Sequence, residues 1–397
     1  MRKIDTDVLV VGAGPGGAMA AKFAARQGVR TLLIEKRQEI GAPVRCAEGV
    51  SEGWMTECEI TVDPAWVACR PKGARIFSPN GSCATVRADR AGNEVGLILE
   101  RHLFDKALAR DAAEAGAAIM LKTYATGVLR SQGRVAGVVG KSLGEDMEIH
   151  AGIVIGADGF ESQVGRWAGI PTDLQARDVE ATIQYRLCHI DCDPKYLDFY
   201  IGSCAPGGYI WVFPKGRGVA NVGIGVQLSR LGGQGEAKDH LDRWIAAQPG
   251  LAKGQPLEIV GGGVSTNKPP EQTVTDGLML VGDAARLIDP LTGGGIVNAC
   301  LSGKLAGEIA AQAVRQDDSS AKFLQRYEKA WRERLEKKLL RNWMAKEKIA
   351  ELDDATFDSV VATLAEAGPS ASTLALLMAV GKKHPRLVAG FAKLLFT

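Results

Sequence analysis

The apolar run Asp7-Val8-Leu9-Val10-Val11 leads without a break into Gly12-Ala13-Gly14-Pro15-Gly16-Gly17, so a strand ends in the spacing G-x-G-x-x-G. A second apolar run, Thr31-Leu32-Leu33-Ile34, ends on Glu35, with Lys36 beside it. Strand, glycine turn, helix, strand and acid in this order form a dinucleotide-binding fingerprint. Gly12 permits the turn, and Gly14 lets the backbone approach a pyrophosphate. Gly17 lets the helix lie close on the strand. A helix predicted from Pro15 and Gly16 to about Gln27 aims unpaired N–H groups and its positive end at the phosphates. Glu35 can accept both hydroxyl hydrogens of an adenosine ribose, and Lys36 is grouped with the same site.

The 397 residues suggest two or three domains and a core large enough to surround a cofactor. A formal charge of +2 gives no case for nucleic acid as a partner. The eight cysteines show neither C-x-x-C pairs nor zinc-type spacing with histidine, so no metal site is expected. They read as mostly reduced, buried thiols of a cytoplasmic protein. No apolar run approaches the ~18 residues that span a bilayer.

Two further glycine-acid sites narrow the cofactor. Ile153-Val154-Ile155-Gly156-Ala157-Asp158-Gly159 is a strand ending in Asp-Gly. Leu278-Met279-Leu280-Val281-Gly282-Asp283 ends in Gly-Asp and precedes Gly293-Gly294-Gly295-Ile296, which opens an apolar helix. Strand ends facing one crevice are where open α/β sheets bind ligands. Asp283 suits a ribityl hydroxyl, and the turn at Gly295 and Ile296 sets a second helix N-terminus beside an electron-poor ring. Three such sites in this order point to FAD rather than NAD.

The order Gly12–Gly17, Asp158-Gly159, Gly282-Asp283 resembles the flavoprotein group of aromatic hydroxylases and geranylgeranyl reductases. That resemblance implies that Arg101, in Glu100-Arg101-His102-Leu103-Phe104-Asp105, reaches the flavin, and that the Ala125 backbone meets adenine. Two narrower segments favour the reductases. Arg45-Cys46-Ala47-Glu48-Gly49 is similar to their R-C-G-E-G segment, with Ala47 where glycine is common. If that position needs positive φ, alanine costs about 1 kcal/mol. Tyr209-Ile210-Trp211-Val212-Phe213-Pro214-Lys215-Gly216 resembles their motif lining an isoprenoid cavity. At strand period Tyr209, Trp211 and Phe213 share one face, a wall suited to a long apolar ligand. The likeness extends to Leu340-Arg341-Asn342-Trp343, which adds Trp343 to the substrate residues. Arg45, Cys46, Ala47 and Gly49 are assigned to the cofactor's surroundings, and Cys46 is also the candidate catalytic residue, delivering a proton or gating the ring.

The expected fold class is α/β: a Rossmann-like FAD domain of the aromatic-hydroxylase type, an antiparallel-sheet substrate domain and a helical C-terminal region. Residues 1–75, 95–165 and 275–315 are assigned to the first. Residues 76–94 and 166–274 go to the second, with a hairpin in the former and a helix near 239–248 in the latter; residues 316–397 form the third. From about Ala321, Phe323, Tyr327, Trp331, Leu335, Leu339 and Trp343 recur every fourth residue, and the surrounding face is basic. Such a helix can dock on anionic lipid headgroups, giving a cytoplasmic protein peripheral contact with a membrane.

The resemblance implies saturation of geranylgeranyl double bonds in digeranylgeranylglycerophospholipids during archaeal membrane lipid biosynthesis. The partners it implies are that isoprenoid glycerophospholipid and an external reductant: reduced ferredoxin, a deazaflavin or NAD(P)H. Two other readings stay open at this point, an FAD-dependent monooxygenase and a non-catalytic isoprenoid-binding flavoprotein. Oxygen consumption driven by a hydroxylatable aromatic would mark the first. A reduced flavin that loses electrons to an alkene would exclude the second.

Overall fold

Arg2–Val11 lies inside an eight-stranded sheet, hydrogen-bonded in parallel to Thr31–Ile34 on one side and to Glu145–Gly156 on the other. Ala118–Met120 and Leu278–Leu280 continue the parallel part outward. Arg134–Ser142 and Thr123–Ser131 form an antiparallel extension from Glu145–Gly156. Val8–Val11 and all of Thr31–Ile34 are buried, as parallel strands covered on both faces require. This computed structural model describes residues 2–88, 95–369 and 373–385, with side chains of 373–377 excepted.

Two helices cover the sheet and converge on its carboxyl edge. Pro15–Ala25 follows the glycine turn, and Ile296–Arg315 lies directly on it. Small residues make that approach: a methyl added at Gly303 would stand 2.1 Å from the Gly16 carbonyl oxygen, and one at Gly307 2.4 Å from that of Ala20. The two N-termini therefore open on the same space.

A seven-stranded sheet roofs that edge, in the order Gln255–Ser265, Val179–Cys188, Val219–Gln227, Tyr209–Gly216, Tyr196–Ile201, Gly73–Phe77, Cys83–Arg87. It is antiparallel except where Tyr196–Ile201 runs parallel to Gly73–Phe77, which corrects the expectation of an antiparallel sheet throughout. These two strands are far apart in sequence, so no tight turn dictates their direction. The expected hairpin begins at Gly73 and returns at Cys83–Arg87. Residues 89–94 of its assigned range lie outside the described residues. The helix expected near 239–248 is Glu236–Ala247.

The C-terminal region departs from a separate unit. Phe323, Leu324, Tyr327, Trp331, Leu335 and Leu339 belong to the same hydrophobic core as the nucleotide sheet. Tyr327 Oη donates to the Leu280 carbonyl at 2.6 Å, and Trp331 Nε1 to Thr273 Oγ1 at 3.0 Å. A repeat of four drifts around an α-helix of 3.6 residues per turn. A π-helical turn at Arg332–Glu336, between Ala321–Trp331 and Lys337–Ile349, takes up part of that drift. The apolar stripe is thus spent on the core, leaving this helix only its basic face for a lipid surface. Asp354–Ala367 and Thr373–Lys383 follow, and residues 370–372 and 386–397 of the assigned helical region lie outside the described residues.

No helix among the described residues is long and apolar enough to cross a membrane. The eight cysteines are all unpaired, but only Cys58 and Cys300 are fully buried; the other six are partly exposed, fewer buried than composition suggested.

Candidate active site

The glycine turn has the geometry that its sequence demands. Gly12 adopts φ +107°, and a methyl there would lie 2.3 Å from the Ala157 carbonyl oxygen. One at Gly17 would lie 1.8 Å from the Gly12 carbonyl oxygen, so helix and strand are in backbone contact. At Gly14 a methyl would meet nothing within 4 Å and would stand in open space. Glu35 closes the turn: its Oε2 accepts from the Ala13 amide and its Oε1 from the Arg37 amide, each at 2.9 Å.

These residues line one cavity of about 500 Å3 between the nucleotide sheet and the roof sheet. Its wall includes Gly12, Gly14, Pro15, Gly16, Gly17, Glu35, Lys36, Arg45, Cys46, Ala47, Gly49, Arg101, Ala125, Asp158, Asp283, Gly295 and Ile296, together with Tyr209, Trp211 and Phe213. Trp343 is absent from that wall. It is half-buried on Lys337–Ile349, and Lys346, nearly one turn further on, lines the cavity instead. Its assignment to the substrate came from the resemblance, and the structure places it outside this wall.

The chain fits FAD on its own geometry. Both helices that open on the cavity, at Gly14 and Gly295, lack a side-chain cap, which leaves their N–H groups for an anionic ligand. Asp158 Oδ2 accepts from the Val164 amide at 2.9 Å, while its buried Oδ1 has no partner among the described residues. Burial pushes the carboxyls of Asp158 and Asp283 up, opposed for Asp283 by Arg101. Such groups gain from a ligand's hydroxyl or N–H donors. Arg101 forks onto buried Asp105, at 2.8 and 2.7 Å, which fixes its guanidinium at the cavity wall.

The roof sheet supplies the other wall. Trp211 pairs with Gly223, which in turn pairs with Gln184. A methyl at Gly223 would come within 2.3 Å of the indole, so the ring lies across this glycine. Its Nε1 reaches Gln184 Oε1 at 2.9 Å, and Gln184 Nε2 donates to the Cys46 carbonyl at 3.0 Å. The aromatic wall and the Arg45–Gly49 loop are thereby joined through one amide. Phe199 packs edge-on against Tyr209 and Phe213, and Tyr209 Oη donates to the Thr292 carbonyl on the turn before Gly295.

Cys46 is half-buried, and its Sγ accepts from the Glu48 amide at 3.2 Å. Burial pushes the thiol up, against the opposing pull of Arg101, so it remains protonated at neutral pH. Ala47 is not among the residues with positive φ, so alanine in place of glycine brings no backbone strain. The strained position is the next one, Glu48, at φ +74°.

Glu48 is fully buried and was not assigned a role from sequence. Its Oε2 accepts from Lys215 Nζ at 2.7 Å, Asn221 Nδ2 at 2.6 Å and Arg186 at 3.1 Å; its Oε1 accepts from the Arg101 amide at 2.8 Å. Lys215 and Arg186 also face Glu100, at 3.1 and 3.5 Å, and Arg186 reaches Glu258 at 3.8 Å. The missed signal was strand period: Lys215 continues the alternation Tyr209, Trp211, Phe213, and Arg186 continues Glu180, Thr182, Gln184.

Comparison with known proteins agrees with this architecture. The family model for the geranylgeranyl reductase catalytic domain matches residues 178–264, and that for FAD dependent oxidoreductases matches residues 7–208. A digeranylgeranylglycerophospholipid reductase of Thermoplasma volcanium is 50% identical over 385 residues, covering 96% of this chain and 97% of that protein. One from Picrophilus torridus is 45% identical over 389 residues, covering 97% and 98%. The crystal structure of a geranylgeranyl bacteriochlorophyll reductase-like protein from Thermoplasma acidophilum superposes with a TM-score of 0.93 at 49% identity, covering 99% of this chain and 100% of that one. A p-nitrophenol 4-monooxygenase from Pseudomonas putida shares the fold, with a TM-score of 0.73 at 17% identity over 99% of each chain.

Proposed function

This chain belongs to the geranylgeranyl reductase family of FAD-dependent oxidoreductases, and from that premise we propose that it saturates geranylgeranyl double bonds in digeranylgeranylglycerophospholipids. The observation that carries the reading is a single cavity whose one wall is the glycine-acid cofactor site and whose other is the Tyr209–Trp211–Phe213 face.

An unactivated alkene is a poor hydride acceptor, so the site must supply close stacking, dryness and a timed proton. Reduced FAD supplies the hydride, and an external reductant (reduced ferredoxin, a deazaflavin or NAD(P)H) restores it. The N–H groups of Gly14, Gly16 and Gly17 would hold its phosphates, Glu35 its adenosine ribose and Asp283 its ribityl chain. Ala125 and Lys36 would border the adenosine end, with Asp158 beside Lys36 and the glycine turn, and Arg101, Gly295 and Ile296 would border the ring. Tyr209, Trp211 and Phe213 orient the alkene and exclude water. Cys46, still a thiol at neutral pH, holds the proton destined for the second alkene carbon, and Arg101 beside it steadies the charge left on sulfur.

Anaerobic addition of the unsaturated lipid to the reduced, FAD-loaded protein tests this. Flavin absorbance should return with the unsaturated lipid and stay bleached with its fully saturated counterpart. Equal behaviour of the two would refute the reading. Cys46→Ser with FAD fully bound should slow that return at least 10-fold; an unchanged rate would remove the proton role.

A further inference from the structure

The roof sheet and the C-terminal helices contribute two charged residues to the cavity wall, Glu180 and Lys346; the others come from residues 35–48, 101–105, 158–161 and 283. Both are nearly sealed, at 8% and 5% exposure. Glu180 Oε2 has no hydrogen-bond partner among the described residues and lies against Gly208, where an added methyl would stand 2.9 Å away. Among the described residues, Lys346 Nζ is held by the half-exposed Glu347. Neither residue has a part in the cofactor site or in the Glu48 cluster.

Their place along the strand gives them a use. Glu180, Thr182 and Gln184 alternate on the cavity-facing side of Val179–Cys188. Gln184 touches the Cys46 loop, so Glu180, four residues back, stands ~13 Å from that level. A long apolar ligand whose reacting bond lies beside Cys46 would present its polar end to Glu180 and Lys346.

We propose that Glu180 and Lys346 form an anchor for the phosphate-bearing end of the isoprenoid lipid, an assignment that rests on the lipid reading above. An ammonium in a low-dielectric site attracts a phosphate strongly, and a protonated carboxyl beside it donates a hydrogen bond to a phosphate oxygen. Burial pushes Glu180 up to about 8, with Lys346 and Arg230 pulling the other way. At neutral pH it is therefore a neutral donor, and above pH 8 it becomes an anion that repels the phosphate. Arg230, bonded to Gln227 and to the Ala350 carbonyl, is the second cation behind the pair.

The test is a binding titration on the oxidised, FAD-loaded full chain, read by tryptophan fluorescence and the flavin spectrum. The probes are digeranylgeranylglyceryl phosphate, digeranylgeranylglycerol and inorganic phosphate. The phosphorylated lipid should bind at least 10-fold more tightly than the alcohol at pH 7. Lys346→Met should bring that ratio toward one, and raising the pH from 7 to 9 should shrink it in the wild type. Glu180→Gln, which keeps a donor but cannot ionise, should retain the ratio and lose its pH dependence. Inorganic phosphate competing against the phosphorylated lipid supports recognition of the group itself, and absence of competition supports recognition of a lipid-borne phosphate. Equal affinities in the wild type, or an intact ratio in a Lys346→Met protein that keeps its FAD, would overturn the anchor. Discrimination in binding without saturation of either lipid would support the anchor and remove the reductase reading instead.

Discussion

Glu48 shows what one side chain does for this site. Its left-handed backbone costs of order 1–3 kcal/mol, and burying its charge costs more unless that charge is matched. Lys215, Arg186, Asn221 and the Arg101 amide match it, tying the Cys46 loop to the roof sheet and to the helix Arg101–Glu114. Lys215→Met should therefore cost about 3–5 kcal/mol in urea unfolding at pH 7; a loss under about 1 kcal/mol would show the cluster to be dispensable. Burial opposes ionisation of Glu48, but Lys215, the Arg101 amide and Arg186 outweigh it and hold the carboxyl below its ordinary value of 4.5. A depressed carboxylate contributes stability that is complete above about pH 4.5 and lost as pH falls through the folded value. Acid should thus destabilise the wild type more steeply than Glu48→Gln. Glu48 was visible inside the Arg45–Gly49 segment, yet its role was not, because its partners lie 53 to 173 residues away in sequence.

At the scale of elements, the strand-turn-helix at Arg2–Ala25 was readable because every residue requirement is local: an apolar run, a turn glycine, a contact glycine, an acid. Gly14 and Gly17 separate two jobs of that turn. Gly14→Ala should leave the melting temperature of the apoprotein unchanged and weaken FAD at least 10-fold, since its methyl enters the cavity and nothing else. Gly17→Ala should lower both, because its methyl overlaps the Gly12 carbonyl. Melting curves and the ratio of flavin to protein absorbance check each. The Tyr209–Phe213 face was equally legible from period two. Trp343, assigned from the resemblance, lies outside the cavity wall, and the stripe it continues crosses a π turn at Arg332–Glu336 that a count of four residues cannot reveal.

The whole molecule places one cavity between two sheets and seals it with a C-terminal segment that shares the first sheet's core. That sharing was hidden from sequence: an amphipathic helix reads the same whether its apolar stripe meets a core or a lipid surface. Trp331→Ala should cost about 3–5 kcal/mol and also loosen FAD, because this helix packs on Leu278–Leu280, the strand that leads to Asp283. Circular dichroism and flavin fluorescence should report one coincident melting transition; a separate early loss of helix would contradict the shared core. The central claim, an alkene reduced between an FAD site and an aromatic wall, is tested most directly by mass spectrometry of the lipid. Digeranylgeranylglycerophospholipid incubated anaerobically with the reduced, FAD-loaded protein should gain hydrogens in pairs, one pair for each flavin reoxidised. A lipid of unchanged mass, beside a flavin that reoxidises only when air is admitted, would contradict it.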